Sequence, residues 1–102
     1  MKYQLVLQWP ASSLKEYEDM IWIEDALEAG LSDIAIVDGH DGGSGEINIF
    51  LLTDDPKRAF DEAKRVLGSK DTLVGIRVAF RETSGETYIP LWPPELQDFR
   101  LK

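Results

Sequence analysis

Apolar and polar positions alternate from the start of the chain: Tyr3, Leu5, Leu7 and Trp9 are interleaved with Lys2, Gln4 and Gln8 before Pro10. A period of two belongs to an extended chain with one buried face, so this segment reads as a strand that proline ends. Ser13-Leu14-Lys15-Glu16 has the spacing of a capping box, in which the serine hydroxyl accepts from the Glu16 amide and the glutamate reaches back to the serine amide. It predicts a helix over 13–29, stopped by Gly30 in the left-handed conformation that glycine adopts without steric cost. Runs of β-branched and aromatic residues predict a second strand over 32–38 and a third over 46–53, joined by a glycine-rich loop at 38–45. Asp55-Pro56 then pairs an N-cap with a first-turn proline. Ala59, Phe60, Ala63, Val66 and Leu67 follow on one face of a second helix that Gly68 closes. Val74, Ile76, Val78 and Phe80 alternate with Gly75, Arg77, Ala79 and Arg81 in a fourth strand over 72–82, and a turn at 83–86 leads to a fifth over 87–91. From Trp92-Pro93-Pro94 onward the pattern is irregular, with a short helical turn at 95–99.

The order β-α-β-β-α-β, with right-handed crossovers, places both helices on one face of an antiparallel sheet. The expected fold is α+β: a ferredoxin-like βαββαβ sandwich with an extra C-terminal edge strand. The chain also resembles small bacterial ferredoxin-like proteins of unsettled function. The residues that carry the likeness are Ile23-Glu24-Asp25-Ala26-Leu27-Glu28, Val37-Asp38-Gly39-His40-Asp41-Gly42-Gly43-Ser44-Gly45 and Asn48-Ile49-Phe50. This resemblance spans residues 20–67 and implies the same fold, but it carries no catalytic residue across. Residues 1–102 are expected to form a single domain. Tyr88, Ile89, Leu91, Trp92, Leu96, Phe99 and Leu101 are too apolar a set for a free tail, so 87–102 is expected to pack on the domain or on a partner.

Composition narrows the function. With 43% hydrophobic and 29% charged residues and no apolar run approaching the ~20 residues of a membrane span, the chain reads as soluble. It has no cysteine, hence no disulfide, thiol nucleophile or thiolate metal site, which fits a reducing cytoplasm. Nineteen acidic and eleven basic residues give a formal charge of −8, which repels phosphate backbones and anionic membranes. No nucleic acid and no membrane is expected as a partner. Another protein is, either a basic one or a second copy of the chain in a homodimer.

Candidate chemistry gathers where the topology brings together three connections: 9–12, 38–45 and 68–71. The middle one holds the only histidine and four of the eight glycines. The candidate ligand-binding residues are Asp38, His40, Asp41, Ser44 and Glu46 of the hairpin, with Trp9 and Ser13 beside them; the amides of the first helix with Lys70 offer an anion site, unless Ser13 and Glu16 satisfy those amides themselves. The spacing is wrong for a metal. A calcium loop starting at Asp38 needs an acidic twelfth residue where the chain has Ile49, and zinc would need more than one histidine. No Gly-Lys-Ser or Gly-Lys-Thr marks a phosphate loop, so no cofactor is expected. No serine or carboxylate is tied to His40 by spacing, and no catalytic residue is assigned. On a helical projection Glu24 falls among Tyr17, Met20, Ile21, Leu27 and Leu31. Its carboxylate belongs at the edge of the buried face, with Arg77 or Arg81 as its partner, or else in solvent at the helix margin.

Two surfaces are unusually apolar. Trp22, Ile23 and Ala26 point away from the helix arc of Tyr17, Met20, Ile21 and Leu27, and something should cover them: the C-terminal segment, a second copy, or a partner. The sheet face opposite the helices mixes Gln4, Val6, Gln8, Asn48, Phe50, Leu52, Arg77 and Arg81, with too few aromatics for an RNA-binding sheet. Candidate protein-interface residues are Trp22, Phe50, Arg77, Arg81 and Trp92. The leading expectation is a non-enzymatic acidic protein-binding or regulatory module, such as an inhibitor or immunity-type protein that masks a basic effector. The alternative is a small-ligand-binding or enzymatic ferredoxin-like domain using the glycine-rich hairpin.

Overall fold

The strand β1 (Tyr3–Pro10) has a neighbour on each side, so its residues from Tyr3 to Gln8 are held twice: Leu7 faces Ile49 of one partner and Val78 of the other. The computed structural model describes residues 1–10, 17–43, 45–68, 73 and 75–101. Around β1 are α1 (Tyr17–Gly30), β2 (Ala35–Gly43), β3 (Glu46–Thr53), α2 (Pro56–Leu67), β4 (Arg77–Glu82) and β5 (Ile89–Trp92). The strand order is β2-β3-β1-β4-β5 and every pairing is antiparallel. The architecture is α+β, five antiparallel strands with two helices. No helix among the described residues is long and apolar enough to cross a membrane.

Alternation along the strands builds two separate cores. Leu5, Leu7, Trp9, Ile49, Leu51 and Val78 project to one side and meet Met20, Ile23 and Leu27 of α1 and Ala59, Phe60, Ala63 and Leu67 of α2. On the other side Val6 and Ala79 meet Phe99, flanked by Phe50, Tyr88 and Leu96. The chain after β5 therefore crosses the second sheet face. The Tyr88 and Phe99 rings are 5.3 Å apart, the Tyr88 hydroxyl donates to Gln4 Oε1 at 3.3 Å, and Gln8 Nε2 donates to the Arg100 carbonyl at 2.9 Å and to Asn48 Oδ1 at 3.1 Å. Gln8 and Asn48, 1% and 2% exposed, need such partners because a buried amide without one costs about 1–3 kcal/mol.

The second helix forms as its sequence predicts. The Asp55 carboxylate accepts from the Arg58 amide at 3.2 Å, Pro56 opens the first turn, and Gly68, at φ 58°, donates its amide to the Lys64 carbonyl at 2.9 Å. The first helix departs from expectation at two points. Its buried stripe is Met20, Ile23, Leu27 and Leu31, so Ile23 is inside and Ile21 outside, because the three- and four-residue steps continue into Leu31 beyond the helix end. Gly30 is not a left-handed stop. It ends α1 where the helix crosses α2, and a Cβ there would overlap the Val66 side chain. The Ser13 cap lies outside the described residues.

Strand limits shift as well. Residues 31–34 turn, with the Ile34 and Ala35 amides both donating to the Leu31 carbonyl, so β2 begins at Ala35 rather than at 32. It then runs through most of the expected loop to Gly43. Edge position explains this: glycines that would weaken a central strand are tolerated where only one neighbour must be satisfied. Gly75, at φ 75°, turns the chain ahead of β4, which starts at Arg77; residues 72 and 74 of the expected strand lie outside the described residues. Residues 95–99 form no helix, only a turn closed by the Leu96 amide on the Pro93 carbonyl at 2.9 Å.

Phe60 is buried, packed against the Trp92 ring at 5.9 Å beneath the Lys64 ammonium, so Phe60→Ala should cost about 3–5 kcal/mol in urea unfolding. A loss under about 1 kcal/mol would place the wrong face of α2 inward. Truncation after Trp92 removes Phe99 and the carbonyl that Gln8 uses. It should lower stability by at least about 2 kcal/mol in the same assay, whereas an unchanged midpoint would show that the segment contributes nothing to the fold.

Candidate functional site

The position of the one histidine depends on a register shift. Val37 faces Leu51 and Gly39 faces Phe50, so Asp38 is an extra residue in β2, and Gly39 accommodates it at φ 132°. One inserted residue reverses which face every later side chain takes. His40 is therefore opposite Ile49, on the helix side of the sheet. Counting without the insertion would put it on the other face. From there its Nδ1 lies 2.7 Å from Glu24 Oε1 on α1, with 33% and 13% of the two side chains exposed. Glu24 does sit at the edge of the buried face. Its partner is His40 and not Arg77 or Arg81, which belong to the opposite sheet face.

A carboxylate against Nδ1 orients the ring and fixes the proton on that nitrogen, the supporting half of a general-base or metal-binding arrangement. Among the described residues no group of three or more His, Asp or Glu is placed to hold a metal ion. The other hairpin candidates divide between the two faces. Trp9 is fully buried on the helix side opposite Ile47. Glu46 is buried on the other side with Arg77 Nη2 3.4 Å away, and Asp41, exposed, faces Asn48 on that same side. Asp38 is exposed at the bulge, while Ser13 and Ser44 lie outside the described residues.

The candidate interface residues are equally scattered. Arg81 Nη1 donates to the carbonyls of Glu82, Thr83 and Gly85 at 3.0–3.2 Å and so holds the turn between β4 and β5. Arg77 is engaged by Glu46, Phe50 is half-buried beside the Phe99 cluster, and Trp92 rests on Phe60 with the Lys64 ammonium 5.1 Å from its ring. Trp22 differs from these. It is 56% exposed on the outward side of α1, next to exposed Ile21.

One further feature has no counterpart in motif spacing. Residues 16–56 contain 12 of the 19 acidic side chains and none of the 11 Lys and Arg, giving this stretch a formal −12 against +4 for the remainder, which sums to −8. The stretch contains α1 and the two strands at one end of the strand order, β2 and β3, and Asp25, Glu28, Asp33, Asp38 and Asp41 are all exposed there. The gap in basic residues between Lys15 and Lys57 is the signal, visible without any structure, that locates this acidic side.

A Cβ on Gly39 would meet nothing within 4 Å, so Gly39→Ala tests the backbone conformation alone. It should cost about 1–3 kcal/mol in urea unfolding and move the His40 ring resonances toward those of Glu24→Gln, as the bulge and the contact are lost together. Unchanged stability would remove the bulge as the reason His40 faces α1. A scan against protein-family models gives no match, and neither the curated proteins nor the solved structures yield one.

Proposed function

We propose that the chain is a non-enzymatic acidic module of ferredoxin-like fold, extended by β5, that binds a basic protein through its α1–β2 side. The ferredoxin-like assignment is supported by the strand order β2-β3-β1-β4 with both helices packed on one face, a split β-α-β arrangement. The functional reading is carried by one observation: Trp22 stands exposed beside Ile21, with Asp25 and Glu28 on the same helix, in a stretch, 16–56, that contains no Lys or Arg. Tryptophan concentrates binding energy when it enters a pocket, and a rim of like charges steers an oppositely charged partner and rejects others. An inhibitor or immunity-type protein that masks a basic effector is the biological form of this chemistry. A second reading, a small-ligand-binding or enzymatic domain at the hairpin, draws on the 2.7 Å contact between His40 and Glu24.

A photo-crosslinking side chain introduced at position 21, which leaves Trp22 in place, should capture a strongly basic protein in the native host. With that protein purified, Trp22→Ala should weaken binding about 30-fold or more, the cost of losing a hot-spot anchor, and binding should weaken steeply with added salt. Binding that survives Trp22→Ala combined with Asp25→Lys and Glu28→Lys at full strength overturns the assignment of this face.

A further inference from the structure

β2 is the last strand on its side of the sheet and pairs only with β3. The Ala35 amide donates to the Leu31 carbonyl at 2.8 Å, away from β3, so Ala35 and Thr53 are a non-hydrogen-bonded pair. Antiparallel ladders alternate, which makes Ile36–Leu52 the bonded pair and turns the Ala35 carbonyl and the Val37 amide and carbonyl outward. The register shift after Val37 ends this short ladder. The outward groups border a shallow groove lined by Glu28, Ser32, Ala35, Ile36 and Val37, in which Ile36 is 54% exposed.

We infer that this edge takes up an extended segment of the basic partner as an added strand. The inference rests on the reading of the α1–β2 side as a docking surface and adds the mode and pattern of recognition. Main-chain hydrogen bonds to Ala35 and Val37 would provide affinity, and the alternation of the added strand specificity. Its residues opposite Ala35 and Val37 project to the helix side, toward Glu28, and are basic. The residue opposite Ile36 projects to the other face and is apolar. Asp33 and Asp38 flank the ladder and favour further cations at the ends of the segment. The same charges disfavour a second copy of the chain, since pairing two β2 edges would bring these carboxylates together with no Lys or Arg from 16–56 to offset them.

The probe is a blocked seven-residue peptide of alternating arginine and valine, titrated into the isotope-labelled full chain. Its control is the same peptide N-methylated on the alternate amides that would face β2, which keeps charge and side chains but removes the donors. The expected result is amide shifts and slowed exchange concentrated at residues 35–39, with the methylated peptide about tenfold or more weaker. Val37→Pro removes the outward donor at an edge position and should weaken binding similarly. The methylation comparison stands even if that variant does not fold. Equal binding of the two peptides overturns strand addition while leaving the acidic docking face intact. Shifts confined to the Trp22 face, or no binding at millimolar peptide, also overturn it, and the crosslinking at position 21 decides the docking face separately. Self-association of the free chain through residues 35–39 would make a second copy the occupant and overturn the inference.

Discussion

The burial of β1 on both faces is the constraint from which the rest of the molecule follows. Leu5, Val6, Leu7, Gln8 and Trp9 are all buried, although a strand sends successive side chains in opposite directions. Two covers are therefore required. The helices supply one through Met20, Ile23, Leu27 and Phe60; the C-terminal segment supplies the other through Phe99 and the Arg100 carbonyl. The mixed character of the second face, apolar Val6 beside amide Gln8, is matched by what lies on it: an aromatic ring over the valine and a backbone acceptor for the glutamine.

A single inserted residue at Asp38 has a comparable reach within the hairpin. It turns His40 toward α1, where Glu24 meets it, and it interrupts the outer ladder so that the presented edge is limited to the residues around Ile36. Bulges and charges also blunt an edge against indiscriminate pairing. Asp33 stands exposed on one flank of this edge and Asp38 on the other.

Charge follows the same division of the molecule. The candidate interface arginines are engaged within the chain, Arg77 by Glu46 and Arg81 by three carbonyls, whereas Asp25, Glu28, Asp33, Asp38 and Asp41 face solvent. Exposed Trp22, Ile21 and Ile36 all fall in the 16–56 stretch that contains no Lys or Arg. Folding thus ties Arg77 and Arg81 into structural contacts and leaves those five carboxylates in solvent.

Local chemistry determined much of this from the sequence. The cap and stop of α2, the alternation of β1 and the buried face from Ala59 to Leu67 are all written in short-range spacing, because each depends on neighbours a few positions away. Of the apolar C-terminal residues Phe99 is buried, while Ile89, Trp92 and Leu101 stay exposed. Other features depended on what packs against what. Gly30 is required by the proximity of Val66, not by its own dihedral angle; Ile23 displaces Ile21 because the stripe aligns with Leu31; and the glycine-rich stretch becomes strand because it lies at an edge. The meeting of His40 with Glu24 required both the bulge and the helix to be in place. Periodicity assigns a face only while the register is unbroken, and the residue that breaks it is recognised only when a partner strand supplies the count.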